Sequence, residues 1–310
     1  MTSPKIAIQG VFVADLAFRA ARLPVMGETL LSNGFKLGPG GKGSNQSVAA
    51  ARAGADVAFI TKLGTDPFGQ MARGLYAAEG IDATHVLTDP ERPTGAAFIF
   101  VDGKTGENAI IIEPGAAAAL TEAEMEAAAP AIAGARVFVA QLELPLPVVR
   151  RGLEIARRHG VTTILNPAPA ATLPDDLYPL VDYLTPNETE AESLVDFAVD
   201  SGQQAARAAA VLLDKGVGTV IVTLGAKGAL LKSRSETAHV PAFPAGAVVE
   251  TAGAGDAFNG GFALALAEGR PVAEAVRFGC AVAGLSVTRP GTAPSMPRRE
   301  EIEALLQSGG

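Results

Sequence analysis

The stretch "VFVAQLELPLPVVRRGLEIARRHGVTTILNPAPA", Val137 to Ala170, decides the fold. Its apolar run Val137 to Gln141 has the length of a buried strand, and its partner run is Thr162 to Leu165. Between them, Pro147 to His159 carries the amphipathic pattern of a helix. Two strands joined through a helix in this way lie parallel, so the stretch is one βαβ unit.

The same rhythm extends in both directions. Strands are predicted at Ile6 to Gln9, Val57 to Thr61, Tyr183 to Thr185 and Thr219 to Thr223. Helices are predicted at Ser44 to Ala53, Phe68 to Glu79, Glu188 to Val195, Gly202 to Lys215, Asp256 to Ala267 and Val272 to Val287. This is an α/β chain with a mainly parallel sheet. Several strands run out into polar or glycine-rich turns ("QLELP", "NPAPA", "TPNETEAE", "TLGAKG"), and ligands of open α/β sheets sit at such carboxyl ends. Two regions break the rhythm, Phe12 to Leu37 and Thr94 to Ile112. The second holds turn signals at Asp102-Gly103 and Thr105-Gly106 between alternating apolar residues. They are expected to form a small β lid, about 12–37 and 94–112, over the mouth of a single domain spanning 1–310.

The composition excludes several classes. At 310 residues the chain buries a full core without staples. A net charge of -8 argues against nucleic acid or an anionic membrane as partner. The one cysteine, Cys280, cannot form an internal disulfide, and no Cys/His spacing suits zinc. Without a signal peptide or an apolar run able to span a bilayer, a cytoplasmic protein is expected.

The chemistry is concentrated in "ETAGAGDAFNGGF", Glu250 to Phe262. Gly253, Ala254 and Gly255 form a small run before a helix, where backbone approaches a ligand closely and free N–H groups favour an anion. An acid just inside such a turn is out of place unless it works beside the anion. The bland reading is a helix-start residue on an ordinary loop. The functional one puts a phosphate on the N–H groups of Ala254, Gly255 and Asp256, and makes Asp256 the base for an attacking hydroxyl.

"GPGGKGSNQS", Gly38 to Ser47, matches G-x-G-x-x-G at Gly38, Gly40 and Gly43. It does not follow the first strand, however, and Asp56 begins its strand instead of ending it, so a dinucleotide site is rejected. Nor is it a Walker A loop, because Gly43 follows Lys42. Lys42 and Asn45 are donors suited to a polyhydroxyl ligand, beyond what a glycine turn capping a helix requires. In "TPNETEAE", Asn187 reads as a helix cap, and the acids could also hold Mg2+ through water. Glu143 stands at another strand end, where a solvated loop acid is the plain alternative. His85, His159 and His239 are scattered, which leaves no Ser-His-Asp arrangement.

Taken together the chain resembles the ribokinase family of carbohydrate kinases. The likeness is carried in order by "MGETLLSNGFKLGPGGKGSNQSVAAARAGA", "KLGTDPFGQ", "QLELPLP", "LNPAPA", "LTPNETEAE", "VTLGAKG", "AGAGDAFNGGF" and "VTRPGTAPSMP". The resemblance implies a three-layer α/β/α, Rossmann-like domain whose β lid also makes a homodimer interface. It implies ATP-dependent phosphorylation of a sugar's primary hydroxyl, O5 in ribose. By the same resemblance Asp256 falls on the catalytic base and Gly253, Ala254 and Gly255 on the anion hole. Asp15, Gly41, Lys42, Asn45 and Glu143 fall on sugar contacts. Asn187, Thr223, Gly225, Gly228 and Gly255 fall on the nucleotide site, with Cys280 beside the adenine and Glu190 near the Mg2+ waters. A K+ site is implied at Glu250, Ala252, Ser286, Arg289, Gly291 and Ser295.

Two positions depart from the family. Members acting on ribose usually have Asn two residues before the sugar-binding aspartate; here Val13 stands before Asp15. Valine offers no hydrogen bond to a hydroxyl, so 2-deoxyribose is an alternative substrate, since an apolar wall rejects an extra hydroxyl only by ~10²-fold. Glu250 stands where the family usually has Asp, which puts its carboxylate about a bond length further along. Other readings are a kinase for another small sugar or a nucleoside, and a sugar sensor that has lost catalysis. The intact Asp256 and its small run argue against the sensor.

Overall fold

A computed structural model describes residues 3–104 and 108–309. The strands are β1 (Lys5–Gln9), β2 (Val13–Ala20), β3 (Gly34–Gly40), β4 (Asp56–Leu63), β5 (Val86–Thr88), β6 (Thr94–Asp102), β7 (Asn108–Gly115), β8 (Val137–Ala140), β9 (Thr162–Leu165), β10 (Tyr183–Leu184), β11 (Thr219–Thr223), β12 (Ala229–Lys232) and β13 (Thr237–Val240). The helices are α1 (Lys42–Ala53), α2 (Pro67–Glu79), α3 (Glu122–Ala127), α4 (Ala129–Ala133), α5 (Leu146–Arg158), α6 (Glu188–Leu194), α7 (Gly202–Asp214), α8 (Ala254–Ala267), α9 (Val272–Ser286) and α10 (Arg299–Gln307).

Nine strands form the main sheet in the order β13-β12-β11-β10-β9-β8-β1-β4-β5. It is parallel from β11 to β5, and β12 and β13 add an antiparallel edge. Strand order reverses beside β1: the chain runs outward to β4 on one side and to β8 on the other. A crevice therefore opens at the carboxyl ends of β1 and β8, as in other open α/β sheets. Alternation along the buried strands feeds two cores. Ile6 and Ile8 of β1 face α1, α2, α8, α9 and α10, while Ala7 faces the layer of α3 to α7. The three layers expected for an α/β/α fold are thus present.

The second sheet has the order β3-β2-β6-β7, with β2 and β6 parallel and the outer pairs antiparallel. It extends past the expected limits, to Gly40 and Gly115, because backbone pairing continues beyond the last apolar residue. The turn expected at Thr105-Gly106 lies outside the described residues. Period-two alternation gives this sheet two unlike faces. Val13 and Asp15 point to one; Phe18, Phe35 and Phe98 form the other, with ring centroids 4.8 and 5.9 Å apart. Among the described residues no helix is long and apolar enough to cross a membrane.

Candidate active site

Two helix starts meet at the crevice. Helix α1 begins at Lys42, two residues before the expected Ser44, because Gly41 supplies the turn at φ +88°. A Cβ on Gly41 would lie 2.5 Å from Val11 O, so only glycine fits. The Lys42 N–H, a first-turn donor with no intrahelical acceptor, goes to Glu143 Oε2 at 2.9 Å. Helix α8 likewise starts two residues early, at Ala254, after Gly253 at φ +78°. Asp256 is therefore its third residue and is buried. The Ala254 N–H returns to Thr251 O at 3.2 Å, whereas Gly255 and Asp256 carry first-turn N–H groups outside the helical ladder.

The helices cross closely because Gly260 has no side chain. A Cβ there would stand 2.6 Å from Ala49 Cβ and 2.8 Å from Gln46 O. This approach brings two amides of α1 onto one carboxylate. Asn45 Nδ2 donates to Asp256 Oδ2 at 2.9 Å and Gln46 Nε2 donates to Oδ1 at 3.1 Å. Asn45 Oδ1 stays buried without a partner, an acceptor that a substrate hydroxyl can satisfy.

Charge in the crevice is dense. Burial pushes the Asp256 carboxyl up, against the pull of the Lys42 ammonium and the two amides. Burial raises Glu143 to about 7, opposed by the charge and N–H of Lys42 and aided by Asp256 and Asp15. Asp15 rises to about 6 through burial, opposed by a hydrogen bond with Thr292, with Asp256 and Glu250 adding to the rise. For Lys42 burial works downward, but Asp256, Glu143 and Glu190 outweigh it and its ammonium is held more firmly than usual. Three acids around one half-buried lysine suit a neutral ligand rich in hydroxyl donors.

Beside Asp256 lies a polar cavity of about 150 Å³, lined by Lys42, Asn187, Glu190, Thr223, Gly253 and Gly255 among others. Asn187, Thr223 and Gly255 also line a more apolar groove of about 760 Å³. Gly225, Gly228, Phe258 and Cys280 belong to that groove, whose size is that of a nucleotide or similar ligand. Burial drives the Cys280 thiol up to about 12, so it is a wall and not a nucleophile.

Glu190 faces the polar cavity and also completes a capping box. Its Oε2 accepts the Asn187 N–H at 2.9 Å, and Asn187 Oδ1 accepts the Glu190 N–H at 2.7 Å. The cap reading of "TPNETEAE" is therefore met by Asn187 and Glu190. Among the described residues no three His, Cys, Asp or Glu groups cluster as metal ligands. A lone acid of this kind fits Mg2+ held through water on an arriving nucleotide better than a resident ion.

The segments expected to hold K+ converge behind the anion-hole turn. Glu250 Oε2 accepts the Gly291 N–H at 2.7 Å, Arg289 N–H donates to Ser286 O at 3.2 Å, and Ser295 Oγ donates to Thr292 O at 2.8 Å. The longer Glu250 side chain reaches Gly291 directly, and one carboxylate amid carbonyls fits a monovalent cation. Ala252 lies in the same turn, one residue before Gly253. Thr292 ties this region to the second sheet, since its Oγ1 donates to Pro39 O at 2.9 Å.

Asp15 sits over the crevice from β2, against Gly40, where a Cβ would strike its carboxylate. Val13 is 2% exposed on the same face and meets Gly95, where a Cβ would stand 2.9 Å from its Cγ1. Sequence reasoning missed four polar residues: Gln46, Asn166, Thr185 and Asn259. All are buried, and the last three line the polar cavity. Asn166 and Thr185 open two of the turns that follow strand ends, whereas Gln46 and Asn259 signal only through polarity inside apolar helices.

Comparison with known proteins agrees with this geometry. The chain is 42% identical to a ribokinase of Haemophilus influenzae over 97% of its length and 98% of that protein's. It is 39% identical to a deoxyribokinase of Salmonella typhi, with the same coverage of both chains. A solved structure of Arabidopsis thaliana ribokinase complexed with ribose and ATP superposes with a TM-score of 0.93, at 31% identity and 99% coverage of each chain. The model of the pfkB family carbohydrate kinases matches residues 3–299. An acid held at a helix start beside a nucleotide-sized groove is thus accompanied by likeness along nearly the whole chain, and the protein belongs to the pfkB family of carbohydrate kinases.

Proposed function

We propose that this kinase transfers the γ-phosphoryl group of ATP to the O5 hydroxyl of D-ribose, giving ribose 5-phosphate and ADP. The observation that carries the reading is the adjacency of the two cavities, which share Asn187, Thr223 and Gly255 in their walls. The larger groove takes the nucleoside, and its phosphates pass Asn187, Thr223 and Gly255 into the polar cavity that ends at Asp256 and Lys42. The sugar lies beyond Asp256, held by Asp15, Gly41, Lys42, Asn45 and Glu143.

Asp256 takes the O5 proton as O5 bonds to the γ-phosphorus, and the bond to the β,γ-bridging oxygen breaks as ADP leaves. The N–H groups of the Gly253-Ala254-Gly255 turn and the Lys42 ammonium hold the charge of the transferred group. Ala254 N–H must exchange Thr251 O for a phosphate oxygen, a small rearrangement of the turn. Mg2+, when bound to the nucleotide through waters on Glu190, neutralises phosphate charge. Glu250, Ser295 and carbonyls of Ala252, Ser286, Arg289 and Gly291 would hold K+ behind the turn.

The second sheet serves as a lid that excludes water as it closes. Its outer face supports a homodimer: Phe35 is 55% exposed and Ile111 71%, an apolar surface that a second copy would cover. Val13 supports a second reading, acceptance of 2-deoxyribose. Steady-state kinetics with ATP, ribose and 2-deoxyribose test both. A large ribose preference upholds the first, parity or reversal upholds the second, and phosphorylation of neither sugar rejects both.

A further inference from the structure

Asp256 is held from behind by a chain of buried polar side chains, of which Gln46 and Gln141 line neither cavity. Gln46 is fully buried on α1. Its Nε2 donates to Asp256 Oδ1 at 3.1 Å and lies 3.2 Å from Asn166 Oδ1, while its Oε1 accepts Gln141 Nε2 at 2.6 Å. An amide can present either end to a neighbour. The choice is settled on the acid's side: the Asp256 carboxylate only accepts, and Asn166, whose Nδ2 donates to Thr185 O, also presents its oxygen, so the Gln46 nitrogen faces both and its oxygen turns to Gln141. The chain continues from Asn166 to Thr185 O at 3.2 Å. Thr185 Oγ1 then donates to Asn259 Oδ1 at 2.7 Å, and Asn259 Nδ2 to Gly255 O at 2.8 Å. The carboxylate and the turn that follows Gly253 are thereby tied to one network.

We propose that Gln46 is a positioning residue for phosphoryl transfer: with its amide oriented by Asn166 and braced by Gln141, it anchors Asp256 Oδ1 and so aims Oδ2 and the carboxylate plane at the acceptor hydroxyl. The inference rests on Asp256 being the base. Asn45 holds Oδ2 as well, but it also borders the substrate; Gln46 acts only through Asp256. The anchor matters because the acid must stay ionised among unlike neighbours. Lys42 on α1 favours its charge, while Asp15 on β2, Glu143 after β8 and Glu190 on α6 oppose it. A donor aimed at the carboxylate favours the charged form, and its loss makes protonation easier.

The test compares Gln46→Met and Gln141→Met with Asp256→Asn, each checked by thermal melting. In Gln46→Met, kcat is expected to fall by ~10²-fold, the scale of a small misplacement at a reacting centre, with the sugar KM little changed. The acid limb of the kcat profile moves to higher pH. Gln141→Met, which leaves Gln46 in place but without its brace, shifts the same limb in the same direction by less. A folded variant of either kind with wild-type kcat, or one that is slower with an unmoved acid limb, assigns the amides to packing and overturns the proposal. Asp256→Asn separates the two levels: if it retains full activity the base assignment itself fails, whereas an inactive Asp256→Asn beside an unaffected Gln46→Met defeats only the positioning role.

Discussion

Asn45 gives its Nδ2 to Asp256 Oδ2 at 2.9 Å across the contact of α1 and α8, and keeps its own Oδ1 buried and without a partner. One side chain therefore serves the acid and waits for the acceptor. Removing the acid's proton-accepting ability should cost rate more than binding. General-base help is typically ~10²–10⁴-fold, and Asp256→Asn is expected to lose that much in kcat while binding sugar almost normally. Calorimetric titration with sugar alongside turnover checks this; full retained activity would remove Asp256 from the role.

Val13 is buried on the same face of the second sheet as Asp15 and offers only methyl groups. Val13→Asn is expected to raise kcat/KM for ribose relative to 2-deoxyribose by about tenfold or more, since a site built to hydrogen-bond a hydroxyl discriminates strongly against its loss. An unchanged ratio of the two specificity constants would sink the idea.

The acids of the crevice give stability a definite pH dependence. Asp15 at about 6 and Glu143 at about 7 are raised above their ordinary carboxylate values. Their contribution to stability is complete at pH values below about 4 and is lost as pH rises through 6 to 7. Asp15→Asn should therefore stabilise the sugar-free protein above pH 6, on the order of 2 kcal/mol, and flatten this part of the profile. Denaturant melts at pH 5 and pH 8 measure it; an equal effect at both would exclude Asp15 as the source.

Glu250, three residues before Gly253, reaches the Gly291 N–H at 2.7 Å. Activity is expected to be higher in K+ than in Na+ or choline, with Glu250→Asp altering that dependence more than it alters stability. Equal rates in all three buffers would mean that the turn needs no cation.

Gly260 sets the spacing between α1 and α8. With backbone atoms of Gln46 and Ala50 at 2.8 and 2.9 Å from a notional Cβ, Gly260→Ala should destabilise by roughly 1–3 kcal/mol. It should also lower kcat, because Asn45 and Gln46 retreat from Asp256. A urea midpoint equal to wild type would contradict this packing account.

The layers and most strands were legible because each element repeats its own period. Val137 to Ala170 reads as strand, helix and strand, and folds so, with α5 displaced by one residue at each end. The edge strands β12 and β13 went unnamed: Ala229–Lys232 and Thr237–Val240 are only four residues each and carry little pattern. Helix starts expected at Ser44 and Asp256 lie at Lys42 and Ala254, since glycines that look like loop are the turns from which those helices begin. Asp256 and Lys42 stood out as charged residues amid small ones. Gln46 did not, because a neutral amide in a helix says nothing until the partner helix arrives 210 positions later in the chain.

The small sheet carries Val13 and Asp15, whereas Asp256, Lys42 and the glycine turn belong to the body. Two of the proposed sugar contacts thus stand on a different piece of the chain from Asp256, although Gly41, Lys42, Asn45 and Glu143 share the body with it. Residues of β2 can change without disturbing the hydrogen bonds that hold Asp256, so the same engine can be refitted for a different sugar by altering its cover.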